Sequence, residues 1–200
     1  MNWLEPVAVA TGIVSVYLSV KQNIWSWPTA LVNVALYFVV FRESKLYADM
    51  GLQVIYFALS LYGWYEWLYG GANRTELKVS RANPRMAVTL AAIAVVGVAV
   101  LGTLFARFTD AALPYVDSAT STTSLVAQWM MTRKVLENWA VWIAVDVVYV
   151  GMFIYKHLYL TSGLYAGFLA LAVMGHVQWR RSYRADHAGV GAAAGLAATA

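Results

Sequence analysis

The sequence contains no cysteine and little charge. Without a thiol there can be no disulfide, no thiolate nucleophile and no cysteine-held metal or iron–sulfur centre. Charged residues make up only 12% of the 200, against about 25% in an ordinary soluble domain. Hydrophobic residues make up 61%, with a mean hydropathy of +0.59. So few charges cannot cover a water-facing surface, and the chain reads as an all-α integral membrane protein. The opening Met1-Asn2-Trp3-Leu4-Glu5-Pro6 lacks the basic stretch of a cleaved leader, so the first helix is expected to persist in the mature protein. No HExxH, nucleophile elbow or phosphate-binding glycine loop is present, so no enzyme and no cofactor are expected. All five lysines lie at loops or helix ends, leaving none in the last span for a retinal Schiff base. Rings of charge and a filter loop, the marks of an ion channel, are also missing. No nucleic-acid partner is expected.

What is present is a succession of apolar segments. A spanning helix needs about 20 mostly apolar residues. Seven candidates fall at roughly 5–20, 27–41, 48–69, 86–106, 114–132, 138–155 and 158–179. The second is short, and the fourth is nearly pure Ala, Val, Leu and Gly. Seven spans put alternate loops on opposite sides. Arg42, Lys45, Arg107 and Lys156 then share the side of the N-terminus. Lys21, Arg74, Lys78, Arg81, Arg85, Arg133, Lys134, Arg180, Arg181 and Arg184 share the other. The excess of basic residues marks the cytoplasmic side, which predicts an outside N-terminus and a cytoplasmic C-terminus. The Ala/Gly-rich stretch 185–200 reads as a disordered tail.

Slid against itself by 112 residues, the chain aligns 27–67 with 139–179 without a gap, and 11 of 41 positions are identical. They include Trp27/Trp139, Tyr37/Tyr149, Phe41/Phe153, Tyr47/Tyr159, Gly51/Gly163, Gly63/Gly175 and Trp67/Trp179. Shared hydrophobic composition supplies Ala and Leu matches, but not Trp, Tyr and Gly in one register. The implied organisation is a three-helix repeat over 1–69, a loop and linker helix over 70–113, a second repeat over 114–184, and the tail. In this 3+1+3 arrangement the linker restores the orientation, so the repeats are parallel. Transporters built this way hold substrate between the halves.

Polar residues inside a span are costly and point to function. Of ten acidic residues only Asp146 falls at the centre of a span, with Trp139, Trp142, Tyr149 and Phe153 on its helical face. An anion among aromatic rings suits a flat cationic ligand; an Asp buried for packing alone is the alternative. In the first half, Asn33, Tyr37 and Trp27 lie on the second span. A stripe of Gln53, Tyr56, Ser60, Gly63/Trp64 and Trp67 lies on the third. Its counterpart on the seventh is Tyr165, Phe168, Ala172, Gly175/His176 and Trp179, which makes Gln53 and Tyr165 equivalent. The hydroxyls of the fifth span are expected to bond their own backbone, leaving Gln128 as its candidate. The candidate substrate-binding set is therefore Asp146, Trp142, Tyr149, Asn33, Gln53, Tyr56, Tyr37, Gln128, Tyr165, Trp139 and Trp27. The aromatic rings would stack the ligand, Asp146 would offset its charge, and the amides would take its polar groups or serve instead as interhelical glue. His176 reads as a packing residue, and no metal site is expected.

Several of these residues carry a family resemblance. Leu46-Tyr47-Ala48-Asp49, Leu52-Gln53 and Tyr62-Gly63-Trp64-Tyr65-Glu66-Trp67 resemble the first repeat of the PnuC family of bacterial vitamin transporters. Thr132-Arg133-Lys134, Glu137-Asn138-Trp139, Trp142-Ile143, Leu158-Tyr159, Gly175 and Trp179 resemble its second. The likeness spans about residues 7–181. It implies a SWEET-like fold and facilitated diffusion of a cationic vitamin or nucleoside, typically nicotinamide riboside, across the bacterial inner membrane. It also implies a homotrimer and trapping of the substrate by a cytosolic kinase. Related groups carry thiamine or riboflavin. Asp146 stands where nicotinamide riboside carriers more often have Asn, which keeps thiamine as an alternative. A non-transporting membrane interaction subunit is the rival from another class.

Overall fold

A computed structural model describes residues 3–43, 47–109 and 113–197. The described residues form seven α-helices: α1 (Leu4–Val20), α2 (Ser26–Glu43), α3 (Tyr47–Tyr69), α4 (Pro84–Phe108), α5 (Pro114–Thr132), α6 (Asn138–Tyr155) and α7 (Tyr159–Ala197). Lys45 and Leu46, used above for orientation and resemblance, lie outside the described residues.

The helices begin where local chemistry favours it. Pro84 and Pro114 open α4 and α5, where a missing N–H costs nothing. Asn83 caps α4 by accepting from the Met86 amide at 2.7 Å. The short second span of the sequence reading runs two residues further, to Glu43, giving α2 18 residues. The expected disordered tail is corrected in part: α7 continues as helix to Ala197. Alanine has the highest intrinsic helix propensity, so an Ala-rich stretch extends a helix already nucleated upstream.

Six helices close a ring in the order α1, α2, α3, α5, α6, α7, with α7 returning to α1; α4 packs outside it on α5. Gly97 and Gly102 of α4 let Thr122 and Tyr115 of α5 approach so closely that a Cβ at either glycine would overlap them. By length and composition, Pro84–Phe108, Asn138–Tyr155 and Tyr159–Ala188 are apolar enough to cross a membrane; the apolar α1 is shorter. α2, α3 and α5 each place polar side chains on the ring's interior, among them Asn33, Gln53 and Gln128.

The α1–α2 and α5–α6 corners share one geometry at positions 112 apart. Gln22 and Lys134 both take positive φ, 55° and 46°. Their amides bond the Ser19 and Met131 carbonyls at 3.0 and 3.1 Å, and the next amides, Asn23 and Val135, bond Leu18 and Met130 at 2.9 and 3.0 Å. These bonds satisfy carbonyls that a helix end leaves free. Each corner also accepts an indole from the other half of the chain. Trp67 donates to the Met131 carbonyl at 3.1 Å and Trp179 to that of Ser19 at 3.0 Å.

The buried apolar cluster sits at this end of the ring. Trp27 meets Trp67 edge-on at 5.2 Å, Trp139 meets Trp179 edge-on at 5.4 Å, and Trp67 and Trp179 join the pairs at 5.8 Å. A Cβ at Gly63 would overlap the Trp27 ring, and one at Gly175 the Trp139 ring, so both pairs require glycine.

The α3–α4 connection crosses this end as a strap. The Ser80 amide donates to the Lys134 carbonyl at 3.0 Å, and the Leu136 amide to that of Ser80 at 2.8 Å. Val79 is buried in the tryptophan cluster. Arg81 pairs with Glu137 at 2.9 Å, Lys134 with Glu76 at 3.2 Å, and Lys78 with Asp186 at 3.4 Å. The strap, the corners at Lys21 and Arg133, and α7 beyond Trp179 therefore meet at one end, which gathers the basic residues.

Candidate functional site

The ring encloses a cavity of about 530 Å³ running from Glu5 and Asp49 at one end to Trp27 and Trp139 at the other. Drug-sized ligands occupy pockets of about 300–1,000 Å³. All eleven candidates from the sequence lie on its wall: Trp27, Asn33 and Tyr37 from α2; Gln53 and Tyr56 from α3; Gln128 from α5; Trp139, Trp142, Asp146 and Tyr149 from α6; Tyr165 from α7.

They do not all face the cavity in the same way. Asp146 is 5% exposed, and among the described residues nothing pairs with its carboxylate. Gln53 and Gln128 are half-buried, and likewise no protein group bonds their amides. Asn33 is instead engaged between helices, donating to the Ala8 carbonyl of α1 at 2.5 Å. Its amide ties α2 to α1, the glue role weighed for it above. Trp27 and Trp139 are sealed into the tryptophan cluster and form the floor; their indole N–H groups have no partner among the described residues.

One wall is continuous aromatic surface. Tyr149 and Tyr165 approach to 4.6 Å between ring centroids, Phe153 and Tyr165 to 5.1 Å, and Tyr165 and Phe168 to 5.9 Å. Across from it Tyr37 stacks on Phe41 at 5.5 Å. Lining residues outside the candidate set include Glu5, Asp49, Phe41, Ser121 and Ser124. Ser124, expected from the sequence to bond its own backbone, lines the cavity and hydrogen-bonds with Tyr56 and Tyr149. No single-helix pattern signals a hydroxyl whose partners come from α3 and α6. Phe41 could have been found by its repeat equivalence to Phe153.

The lining contains three carboxylates, Glu5, Asp49 and Asp146, and no lysine, arginine or histidine. In a chain with net charge +4, every described basic side chain is kept off the cavity wall. No cluster of three metal-ligating side chains occurs among the described residues. The chemistry available is stacking, hydrogen bonding by unengaged amides and hydroxyls, and attraction for positive charge.

Beyond the floor the electrostatics reverse. Burial pulls the Lys134 ammonium below the usual lysine range, opposed by Glu76. Its Nζ also lies 4.6 Å from the Trp67 ring centroid. Burial pushes the Glu137 carboxyl up, but bonds from the Ala82 amide and Arg81 outweigh this and hold it below the ordinary carboxylate value.

Residues 2–181 match the family described as nicotinamide mononucleotide transporter. The chain belongs to this family. It is a transporter family, and the chain is accordingly a multi-pass membrane protein rather than an enzyme. The chain is 29% identical over 209 aligned residues to the nicotinamide riboside transporter PnuC of Escherichia coli (strain K12), with 92% of this chain and 87% of that one covered. It is 26% identical to the riboflavin/roseoflavin transporter RibM of Streptomyces davaonensis, with the same coverage. A crystal structure of the vitamin B3 transporter PnuC superposes with a TM-score of 0.70 at 29% identity, covering 91% of this chain and 82% of that one.

Proposed function

We propose that this chain carries nicotinamide riboside inward across the bacterial inner membrane. The observation that carries this reading is the composition of the cavity wall: aromatic rings, unengaged amides, a buried carboxylate and no basic side chain. A pyridinium riboside presents a flat cationic ring and hydroxyls to match. A phosphate-bearing mononucleotide would need arginine or lysine, the groups that recognise phosphate. Tyr149, Tyr165 and Trp142 stack the ring, Asp146 offsets its charge, and Gln53 and Gln128 take hydroxyls or the carboxamide. Thiamine, also a flat cation, is the alternative of the same class. The likeness to a riboflavin carrier gives a second reading, a neutral and larger ring system.

For the mechanism we propose seven spans in a SWEET-like 3+1+3 order, α1–α3 and α5–α7 forming parallel repeats joined by α4. The recurring corner bonds and the paired tryptophans 112 residues apart support this order. The halves rock about the cavity and expose it to each side in turn. The strap end, rich in basic residues, faces the cytoplasm, which leaves the N-terminus outside. Substrate moves by facilitated diffusion, maintained by a cytosolic kinase that traps it, and the carrier works as a homotrimer.

Titration of purified protein with nicotinamide riboside, its mononucleotide, thiamine and riboflavin, followed by tryptophan fluorescence, tests the reading. The riboside should quench at the lowest concentration and the mononucleotide at least about tenfold higher, a difference of about 1.4 kcal/mol. Asp146→Asn should weaken the cation more than an uncharged isostere. Tighter binding of the mononucleotide or of riboflavin would overturn the assignment.

A further inference from the structure

We infer that the substrate sits to one side of the cavity, with its hydrogen-bonding groups turned to α3, α5 and α6, and that two small residues on the opposite side, Ala30 and Val34, set how broad a ring is admitted. The inference rests on the reading of the chain as a carrier of a flat-ringed vitamin and adds where in the cavity that ligand lies.

The 112-residue offset shows the asymmetry. On α6, Trp139, Trp142, Asp146, Tyr149 and Phe153 follow at spacings of three and four and share one face. Their counterparts on α2 are Trp27, Ala30, Val34, Tyr37 and Phe41, and both sets line the cavity. The outer positions are identical and the two in the middle differ. Where α6 presents an indole and a carboxylate, α2 presents a methyl and an isopropyl group.

The neighbouring helices repeat the contrast. Ser121, Ser124 and Gln128 of α5 stand at the positions that Val9, Gly12 and Val16 hold on α1, again all on the wall. Between α3 and α7 the polarity is exchanged: Gln53, Tyr56 and Ser60 of α3 answer to Tyr165, Phe168 and Ala172 of α7. In the ring α3, α5 and α6 are consecutive, as are α7, α1 and α2. The exchange therefore gathers polar side chains on one arc. Among the described residues, the other arc offers only Tyr37, Tyr165 and the engaged Asn33 between floor and mouth. Its serines lie by the floor, where Ser15 donates to the Ser26 carbonyl at 2.9 Å.

A hydroxyl or carboxamide stripped of water is costly unless a partner replaces it, so these groups of the ligand face α3, α5 and α6. The C–H edge of the ring then faces α1 and α2, where small side chains leave the room. A Cβ at Gly12 would stand 3.0 Å from the Asn33 amide nitrogen, so packing fixes that position. Ala30 is only half-buried and borders the cavity, and any atom added there takes space from the ring.

Titration of the purified full chain and its variants with nicotinamide riboside and with riboflavin, followed by tryptophan fluorescence, tests the placement. Ala30→Val and Ala30→Thr add side chains of one shape and different polarity, and both should weaken the riboside by the same factor. Ala30→Leu should weaken it by at least about tenfold. In Val34→Ala the ratio of riboflavin to riboside affinity should rise by at least about threefold, and in Ala30→Leu it should fall. A ratio taken on one protein does not depend on how much of a variant folds. The placement is overturned if Ala30→Leu binds as the parent does, if the Val and Thr variants differ by more than about threefold, or if the ratio stays put in Val34→Ala. A parent that binds riboflavin more tightly than the riboside would overturn the substrate assignment alone, and the same variants would then test the placement with riboflavin. A parent that binds neither would overturn both.

Discussion

Gly63→Ala and Gly175→Ala should each destabilise the protein, while Gly151→Ala and Gly163→Ala should not. A Cβ at Gly63 would overlap Cη2, Cζ2 and Cζ3 of Trp27, and one at Gly175 would overlap Cε2, Cδ2 and Cζ2 of Trp139. Each ring is also met edge-on by the indole one turn beyond that glycine on the same helix, Trp67 at 5.2 Å and Trp179 at 5.4 Å, which leaves it little room to shift. Overpacking of this kind costs about 1–3 kcal/mol, and two blocked indoles place it in the upper half of that range. Around Gly151 and Gly163 no atom lies within 4 Å of the added methyl. There the only change is the helix propensity gained on replacing glycine, about 1 kcal/mol in favour of alanine. All four positions are helical, so that gain is common to both pairs and cancels in the comparison. What remains is a gap of about 2–3 kcal/mol, or about 4–12 °C in Tm for a chain of this size. Thermal unfolding in detergent, followed by tryptophan fluorescence, measures it. If Gly63→Ala melts with Gly163→Ala, the rings yield freely and the tryptophan cluster is not the rigid floor described here.

Gln53→Ala and Gln128→Ala remove amides that bond no protein group among the described residues, so stability should stay within about 0.5 kcal/mol. Affinity for the riboside should fall by about 0.5–1.5 kcal/mol, the net worth of a hydrogen bond; unchanged affinity with a lowered Tm would assign both amides to packing. The strap should loosen in acid. The native state holds the Glu137 carboxyl below its ordinary value, so its contribution is complete above the unfolded value and is lost as pH falls through the native one. Amide hydrogen exchange across Leu77–Ala82 should quicken on acidification, and Glu137→Gln should show the same quickening at neutral pH. Equal protection of the variant and the parent at neutral pH would refute the role of Glu137.

The sequence alone determined a good deal of this protein. Helix positions were legible because each apolar run is bounded by charge, proline or glycine, and the 112-residue offset was legible because Trp, Tyr and Gly cannot coincide by composition. That offset already paired Trp27 with Trp139 and Gly63 with Gly175 before any contact was known. Asp146 stood out for a similar reason, since a lone acid in an apolar helix is too costly to be incidental. Tertiary structure decided what each residue touches. Asn33 and Gln53 look alike in sequence, yet one is held by the Ala8 carbonyl and the other is unengaged in the cavity. Ser124 became part of the wall only because α3 and α6 bring Tyr56 and Tyr149 to it. The exclusion of every described basic side chain from the lining likewise depends on how six helices close into a ring. Periodicity records which face of a helix is apolar or polar, but partners come from other helices, and the angles and levels at which helices meet are set by packing across the whole ring.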